Sequence, residues 1–171
     1  MEITQSPLRI LLADDEVGIL DLYETILSID GREPGPPDGQ ERRLAAFYEG
    51  REPMPDLRCF ATTRCQQGDE AVQEVEKSVR EGNPFAMAFL DIRMPPGPDG
   101  IWVAAEIRKL DPLLNIVMVT AYPEMPPLDM ARRVPPLGRF LLLQKPLLPL
   151  EIMQVAAVMA DKWRAERQLA V

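Results

Sequence analysis

The 171-residue sequence contains no histidine, and it is poor in cysteine and in basic residues. Without histidine, no mechanism can use an imidazole of this chain as a base, a nucleophile or a metal ligand. The two cysteines, Cys59 and Cys65, are too few for a disulfide framework or a zinc site. Lysine and arginine number 19 against 27 acidic residues, so the net charge is −8. A chain this acidic lacks the electrostatic signature of nucleic-acid binding, and we expect no direct contact with nucleic acid.

Long apolar runs are also missing. None approaches the roughly 20 residues that a membrane span needs. The N-terminus carries Glu2, has Arg9 as its first basic residue, and lacks the pattern of a signal peptide. We therefore expect no membrane association and a cytoplasmic location.

Proline is abundant, with 18 residues, and it is clustered. Residues 31–58 hold five prolines and four glycines, a composition that favours a long loop. We interpret this segment as an insertion between the first helix and the second strand of a domain that covers residues 1–160. Residues 161–171 are interpreted as a helical extension or linker.

Apolar segments of two kinds alternate between the proline-rich loops. Short continuous runs predict buried strands at 8–13, 58–63, 85–90, 115–119 and 140–143. Segments with helical spacing lie at 16–28, 69–81, 101–110, 128–134 and 150–167. In the second of these helices, Val72, Val75 and Val79 are expected on the buried face. Strands that alternate with helices predict an α/β fold with a parallel sheet covered on both faces.

Polar residues stand where four of these strands end. They are Asp14, Asp15, Asp91, Thr120 and Lys145. In open parallel sheets the functional crevice lies beyond the carboxyl ends of the strands, so we expect these side chains to meet.

The chemistry of this set favours phosphoryl transfer. Three converging carboxylates are tolerated beside a divalent cation, and oxygen ligands favour Mg²⁺ or Mn²⁺. A threonine hydroxyl and a lysine ammonium suit phosphoryl oxygens. Each residue also has a plainer explanation: the Asp pair caps a helix, Asp91 forms a turn, Thr120 favours a strand and Lys145 lies on the surface. The combination at the strand ends favours transfer of a phosphoryl group to an aspartate.

Five segments resemble the receiver domains of two-component response regulators. They are ILLADDE at 10–16, FLDIRMP at 89–95, Asp99–Gly100, VMVTAY at 117–122 and QKP at 144–146. The resemblance runs from residue 8 to 160 apart from the insertion. It implies a flavodoxin-like, doubly wound, five-stranded parallel sheet of order 2-1-3-4-5.

The resemblance also implies roles for individual residues. Asp91 would accept a phosphoryl group from a sensor histidine kinase or a phosphotransfer protein, and Thr120 and Lys145 would bind the phosphoryl oxygens. The implied ligands of Mg²⁺ are Asp14, Asp15, Asp91 and the backbone carbonyl of Arg93. The peptide bond before Pro146 is expected to be cis. Such a chain is a signalling phosphoacceptor with modest self-catalysed transfer and hydrolysis, not a separate enzyme.

Departures from the family pattern leave alternatives open. Receivers usually carry an aromatic residue three positions before the lysine, where this chain has Leu142, and its nearest aromatic is Phe140. The loop after Asp91 carries one extra residue, in the segment 96–98. A pseudo-receiver, which binds a protein partner without phosphorelay, is one alternative. A haloacid-dehalogenase-like phosphatase is another, but its Asp-x-Asp motif is not matched at residues 91–93.

The last helix continues beyond residue 160 with many charged side chains, which are Asp161, Lys162, Arg164, Glu166 and Arg167. We expect this end to gain little from packing on its own domain. We interpret it as a signalling helix that supports a parallel homodimer or leads to an output domain, with a frayed surface tail as the alternative. By this interpretation the chain is the first part of a longer signalling protein rather than a single-domain regulator.

Overall fold

A computed structural model describes residues 7–28, 60–121 and 125–170. Its parallel sheet has five strands in the order β2-β1-β3-β4-β5. The strands are β1 (Leu8–Ala13), β2 (Phe60–Cys65), β3 (Met87–Asp91), β4 (Asn115–Thr120) and β5 (Phe140–Gln144). The helices are α1 (Val17–Leu27), α2 (Gly68–Arg80), α3 (Gly100–Leu110), α4 (Pro127–Arg133) and α5 (Pro149–Leu169), with a 3₁₀ turn at Leu137–Arg139. The predicted α/β fold and strand order are confirmed.

The sheet is buried between two apolar layers. Every residue of β3 and β4 is buried, as their continuous apolar sequences predict for strands covered on both faces. One layer packs α2, α3 and α4 against the sheet, through residues such as Val75 and Val103. The opposite layer packs α1 and α5, and there the Tyr23 ring lies 5.0 Å from the Phe89 ring. The carboxyl ends of the strands are left as one open edge.

Helix α2 is rotated relative to the sequence prediction. Its buried residues include Ala71, Val75 and Ser78, whereas Val79 is 43% exposed. The expected placement of Val79 on the buried face is therefore wrong. Residues 71, 75 and 78 follow the helical repeat of 3.6 residues, and so do Val72, Val75 and Val79. The apolar pattern therefore does not determine which of these two sets faces the sheet.

The insertion predicted at residues 31–58 lies outside the described residues. The chain on either side of it is described, and Ser28 forms an isolated parallel bridge with Phe60. The last described residue before the insertion and the first one after it are therefore neighbours at the sheet.

The far end of α5 packs on its own domain. Arg139 donates a hydrogen bond to Glu166 at 2.5 Å, and Lys162 Nζ donates to the Asn115 side-chain oxygen at 3.2 Å. Trp163 packs against the apolar layer formed with α1. The expectation that this end gains little from packing is wrong, because its charged residues face polar groups where β4 and β5 begin. Across the described residues, no helix is both long and apolar enough to cross a membrane.

Candidate functional site

Backbone hydrogen bonds bring the carboxyl ends of the strands together at one edge. The Asp14 N–H donates to the Cys65 carbonyl at 3.1 Å, which ties the end of β1 to that of β2. Lys145 N–H donates to the Thr120 carbonyl at 2.7 Å, just beyond the ends of β4 and β5. Asp91 and Thr120 are themselves the last residues of their strands. The predicted site residues therefore lie at a common edge.

The ammonium group of Lys145 lies among three carboxylates. Its Nζ is 3.0 Å from Asp14 Oδ2, 3.2 Å from Glu16 Oε1 and 3.5 Å from Asp91 Oδ2. Burial lowers the pKa of Lys145, but the ion pairs with Asp14 and Asp91 outweigh it, so the net shift is upward. The lysine is therefore held in its charged form at the centre of the cluster. The peptide bond from Lys145 to Pro146 is cis, as expected.

Asp14 is fully buried and makes two different contacts. Its Oδ1 accepts a hydrogen bond from the Glu16 N–H at 2.9 Å, which is the structural role that an Asp at a helix start often has. Its Oδ2 lies beside Lys145 Nζ but has no hydrogen bond of suitable geometry within the described residues. Burial raises the pKa of Asp14, and the hydrogen bond and the lysine partly oppose that shift.

Asp91 has a strongly shifted pKa. Burial, followed by repulsion from Asp14, raises the pKa of Asp91 from 3.8 to about 6. Lys145 and the backbone N–H of Arg93 lower this pKa but do not cancel the rise. A carboxylate at this position is therefore costly to ionise unless another cation joins the site.

The site offers a cluster of oxygen ligands at which a divalent cation fits. The carboxylate oxygens of Asp14, Asp15 and Glu16 lie within 4.8 Å of one another. The raised pKa values of Asp14 and Asp91, which persist although Lys145 lies beside both carboxylates, indicate that one ammonium group does not balance the negative charge of the site. Oxygen-only donors suit Mg²⁺ better than a soft metal.

Glu16 is the site residue that sequence reasoning missed. Its side chain is exposed, yet it contacts Lys145 and lies in the same acidic cluster as Asp14 and Asp15. The available signal was its position, directly after the Asp pair at the end of β1.

Glycine allows α3 to approach the backbone of Asp91. The Gly100 N–H donates to the Ile92 carbonyl at 2.8 Å, and a side chain on Gly100 would collide with the carbonyl oxygen of Asp91. The proline-rich loop before Gly100 is held by Gln67, which donates to the Pro95 carbonyl at 3.1 Å and accepts from the Gly97 N–H at 3.0 Å. The loop that carries the extra residue is thus tied to Gln67, and α3 still begins in contact with the backbone of Asp91.

The position that is usually aromatic in receivers holds a packed aliphatic side chain. Leu142 packs against the apolar layer under α2, α3 and α4. Phe140 is not a substitute, because it pairs in register with Ile116 whereas Thr120 pairs with Gln144. Four residues along a strand separate Phe140 from the site edge by roughly 13 Å.

Comparison with known families decides the classification. The sequence model of the response regulator receiver domain matches residues 54–157, which is more than half of the chain. The chain belongs to the response regulator receiver domain family. The family match begins after β1 and so does not include Asp14 and Asp15. These two residues are assigned to the receiver domain because β1 lies inside the same sheet and because the motif at residues 10–16 resembles that of receivers.

Solved structures with the same fold include other receivers. A CheY-like response regulator receiver domain from Methanospirillum hungatei is 22% identical, with a TM-score of 0.64, and the match covers 94% of this chain and 99% of that one. A receiver protein from Sinorhizobium medicae is 22% identical, with a TM-score of 0.61 and coverage of 92% and 97%. These structures support the fold of this receiver domain.

A curated relative is matched over a shorter segment. The accessory gene regulator protein A of Staphylococcus epidermidis is 42% identical over 52 residues, which are 30% of this receiver chain. The match spans 22% of the length of that protein. This short match is consistent with a receiver domain of a response regulator, and it does not indicate an output domain or its activity.

Proposed function

We propose that this receiver domain accepts a phosphoryl group on Asp91 from a phosphohistidine of a partner protein, with Mg²⁺ as cofactor. The observation that carries the proposal is the placement of Asp91. It is a buried carboxylate at the end of the central strand β3, with Lys145 Nζ at 3.5 Å and Asp14 beside it. Receiver domains are normally signalling modules rather than enzymes, and the acceptor itself is part of the signal.

The transfer step uses the ionised form of Asp91. A carboxylate oxygen forms a bond to phosphorus, the nitrogen–phosphorus bond of the donor breaks, and its electron pair returns to the imidazole nitrogen. The pKa of about 6 leaves Asp91 mostly ionised at neutral pH. The proposed donor is a phosphohistidine of a sensor histidine kinase or a phosphotransfer protein, which is consistent with the lack of histidine in this sequence.

Lys145 and Thr120 are proposed to bind the transferred group. The Lys145 ammonium is already within reach of Asp91, and its other partners are Asp14 and Glu16. A phosphoryl group brings new anionic oxygens to Asp91, so we expect the lysine to move its contacts toward them. Thr120, which ends β4, would supply a hydroxyl to the same oxygens.

The proposed ligands of Mg²⁺ are Asp14, Asp15, Asp91 and the Arg93 carbonyl. When bound, the ion neutralises the negative charge that builds up on the phosphoryl oxygens. A CheY from Borrelia burgdorferi with a TM-score of 0.56 and 21% identity was solved in complex with CheX, beryllofluoride and Mg²⁺. That neighbour supports the proposal that a fold of this kind holds the ion and a phosphoryl analogue together.

The packed Leu142 favours a second candidate, the pseudo-receiver. Leu142 packs into the apolar layer. With this leucine in place of the usual aromatic, we expect the coupling between Thr120 and β5 to differ from that of other receivers. A pseudo-receiver of this fold would bind its partner without being phosphorylated.

Titration with beryllofluoride and Mg²⁺ distinguishes the two candidates. Trp102 is a suitable reporter because it lies in the first turn of α3, where its backbone N–H donates to Asp99 Oδ1 at 2.8 Å. In a Trp163→Phe chain we expect a saturable change in Trp102 fluorescence that Asp91→Asn abolishes and Asp161→Asn leaves intact. If Trp102 fluorescence does not change in the Trp163→Phe chain that retains Asp91, the pseudo-receiver is favoured.

A further inference from the structure

A cavity of about 420 Å³ lies at the opposite edge of the sheet from Asp91. Its walls come from the start of β1, the turn between α2 and β3, and the end of α5. Parallel strands all begin at the same edge, and a strand of six residues such as β1 spans roughly 20 Å. The cavity is thus separate from the phosphoacceptor site.

The charged residues that line the cavity are all arginines. They are Arg9, Arg164 and Arg167, and no carboxylate is among the lining residues. Arg164 pairs with Asp161 at 3.3 Å, and Arg167 Nη2 is 3.9 Å from Asp111. For Arg9, the described part of the chain offers no ion-pair partner; its guanidinium donates to the Asn83 carbonyl at 2.6 Å. On a chain of net charge −8, Arg9 therefore brings to the cavity a positive charge that no carboxylate of the described residues balances.

Two side-chain donors of the lining residues, Trp163 Nε1 and Arg167 Nε, have almost no accessible area and no acceptor among the described residues. The Arg167 guanidinium lies over the Trp163 ring, 4.9 Å from its centroid. Because these two atoms have almost no accessible area, the donors that the cavity offers to a ligand are the terminal guanidinium groups of its arginines.

We propose that this cavity binds a small oxyanion metabolite, either a polycarboxylate or a phosphorylated compound. Guanidinium groups bind carboxylate and phosphate in bidentate geometry. The volume falls within the usual range of small-molecule sites. Because Arg9 belongs to β1 and Arg167 to α5, the bound anion would join the end of α5 to the sheet. This inference does not depend on phosphorylation of Asp91.

Trp163 fluorescence in a Trp102→Phe chain reports on the cavity, since the sequence has two tryptophans. Citrate and inorganic pyrophosphate are the probes, each titrated at constant ionic strength in a buffer freed of metal ions by chelating resin and containing no EDTA, with sodium chloride as the reference. We expect a saturable change with at least one probe. Arg9→Gln and Arg167→Gln should each weaken it at least about 10-fold. Arg132→Gln, on the exposed side of α4, should leave it unchanged.

The two probes separate the ligand classes. A response to citrate alone assigns a polycarboxylate, and a response to pyrophosphate alone assigns a phosphorylated ligand. A response to both indicates that the cavity binds oxyanions of either class and selects them by their negative charge. The proposal is overturned if neither probe gives a saturable change. It is also overturned if Arg132→Gln weakens the response as much as Arg9→Gln does, or if the Arg9 variant binds normally. Circular dichroism checks that each variant is folded. If Arg167→Gln does not fold, the binding result for Arg9→Gln alone tests the proposal.

Discussion

Lys145 Nζ lies 3.5 Å from Asp91 Oδ2, so the proposed phosphoryl acceptor faces a partly buried cation before any phosphoryl group arrives. This contact does not fully compensate the cost of burying the carboxylate, because the pKa of Asp91 remains raised, to about 6. The unphosphorylated site therefore carries unfavourable charge, and the predictions below follow from that imbalance and from the packing around it.

Asp91→Asn should stabilise the folded chain at neutral pH. The pKa of Asp91 is higher in the folded state than its ordinary value of 3.8, so its favourable contribution is complete below pH 3.8 and is lost as pH rises through about 6. A shift of this size corresponds to about 3 kcal/mol of lost stability at pH 7. Urea unfolding in EDTA at pH 5 and at pH 7.5 measures it.

The asparagine variant should show a smaller loss of stability between these two pH values than the parent. Asp161→Asn is the control, since Asp161 is an exposed carboxylate on α5. Parallel pH profiles for the parent and Asp91→Asn would refute the charge imbalance at this site.

Mg²⁺ binding should need Asp15 and should not need Lys145. Removing the Asp15 carboxylate removes a hard oxygen ligand, and Asp15→Ala should weaken Mg²⁺ at least about 10-fold. Removing the Lys145 ammonium removes a charge that repels the ion, so Lys145→Ala should keep or tighten binding while impairing the response to beryllofluoride. Calorimetric titration with Mg²⁺ measures both, with Lys109→Ala on the surface of α3 as the control. Unchanged affinity in Asp15→Ala contradicts the ligand assignment.

Gly100→Ala should destabilise the chain and weaken the response to beryllofluoride. The added methyl group meets the backbone of Asp91 and Ile92, which cannot move aside as a flexible side chain would. Overpacking of this kind costs about 1–3 kcal/mol. Gly18→Ala, in the first turn of α1, is the matched control because nothing lies within 4 Å of its added methyl group. If both variants unfold at the parent's urea midpoint, the close approach of α3 to Asp91 is not important for stability.

Removing residues 161–171 should lower the free energy of unfolding by about 2–3 kcal/mol, mainly because Trp163 loses its apolar contacts. The ion pair of Arg139 with Glu166 is lost as well. A chain that lacks only residues 169–171 is the control. Equal stability of all three chains would favour the frayed-tail alternative. Light scattering of the same chains, before and after addition of beryllofluoride, tests the predicted homodimer. The homodimer requires that the molar mass of the full chain increases and that the molar mass of the chain lacking residues 161–171 does not.

Sequence patterns predicted the sheet well because its central strands are covered on both faces. Such strands have continuous apolar sequences, and β3 and β4 follow this rule. The meeting of Asp14, Asp91 and Lys145 was also predictable, since parallel strands share one carboxyl edge. The distances between these residues bear out that part of the prediction, while their chemical roles stay proposals.

Other features depend on side-chain placement that no sequence pattern specifies. Glu16 contacts Lys145 across 129 positions of sequence, and an exposed glutamate gives no sign of such a partner. The phase of α2, which exposes Val79, depends on how the helix docks against α3. The end of α5 looked like a solvated charged helix, and its contacts with Arg139 and Asn115 appear only once the strands are in place.

The most direct test of the phosphoacceptor proposal is chemical mapping of the modified residue. The chain is incubated with acetyl phosphate and Mg²⁺, the acyl phosphate is reduced with borohydride, and the peptides are sequenced by mass spectrometry. Reduction converts a phosphorylated aspartate to homoserine, and we expect homoserine at position 91 alone, with none formed in Asp91→Asn. Homoserine at Asp14 or Asp15, or an unmodified Asp91 under conditions that saturate a known receiver, would contradict the proposal.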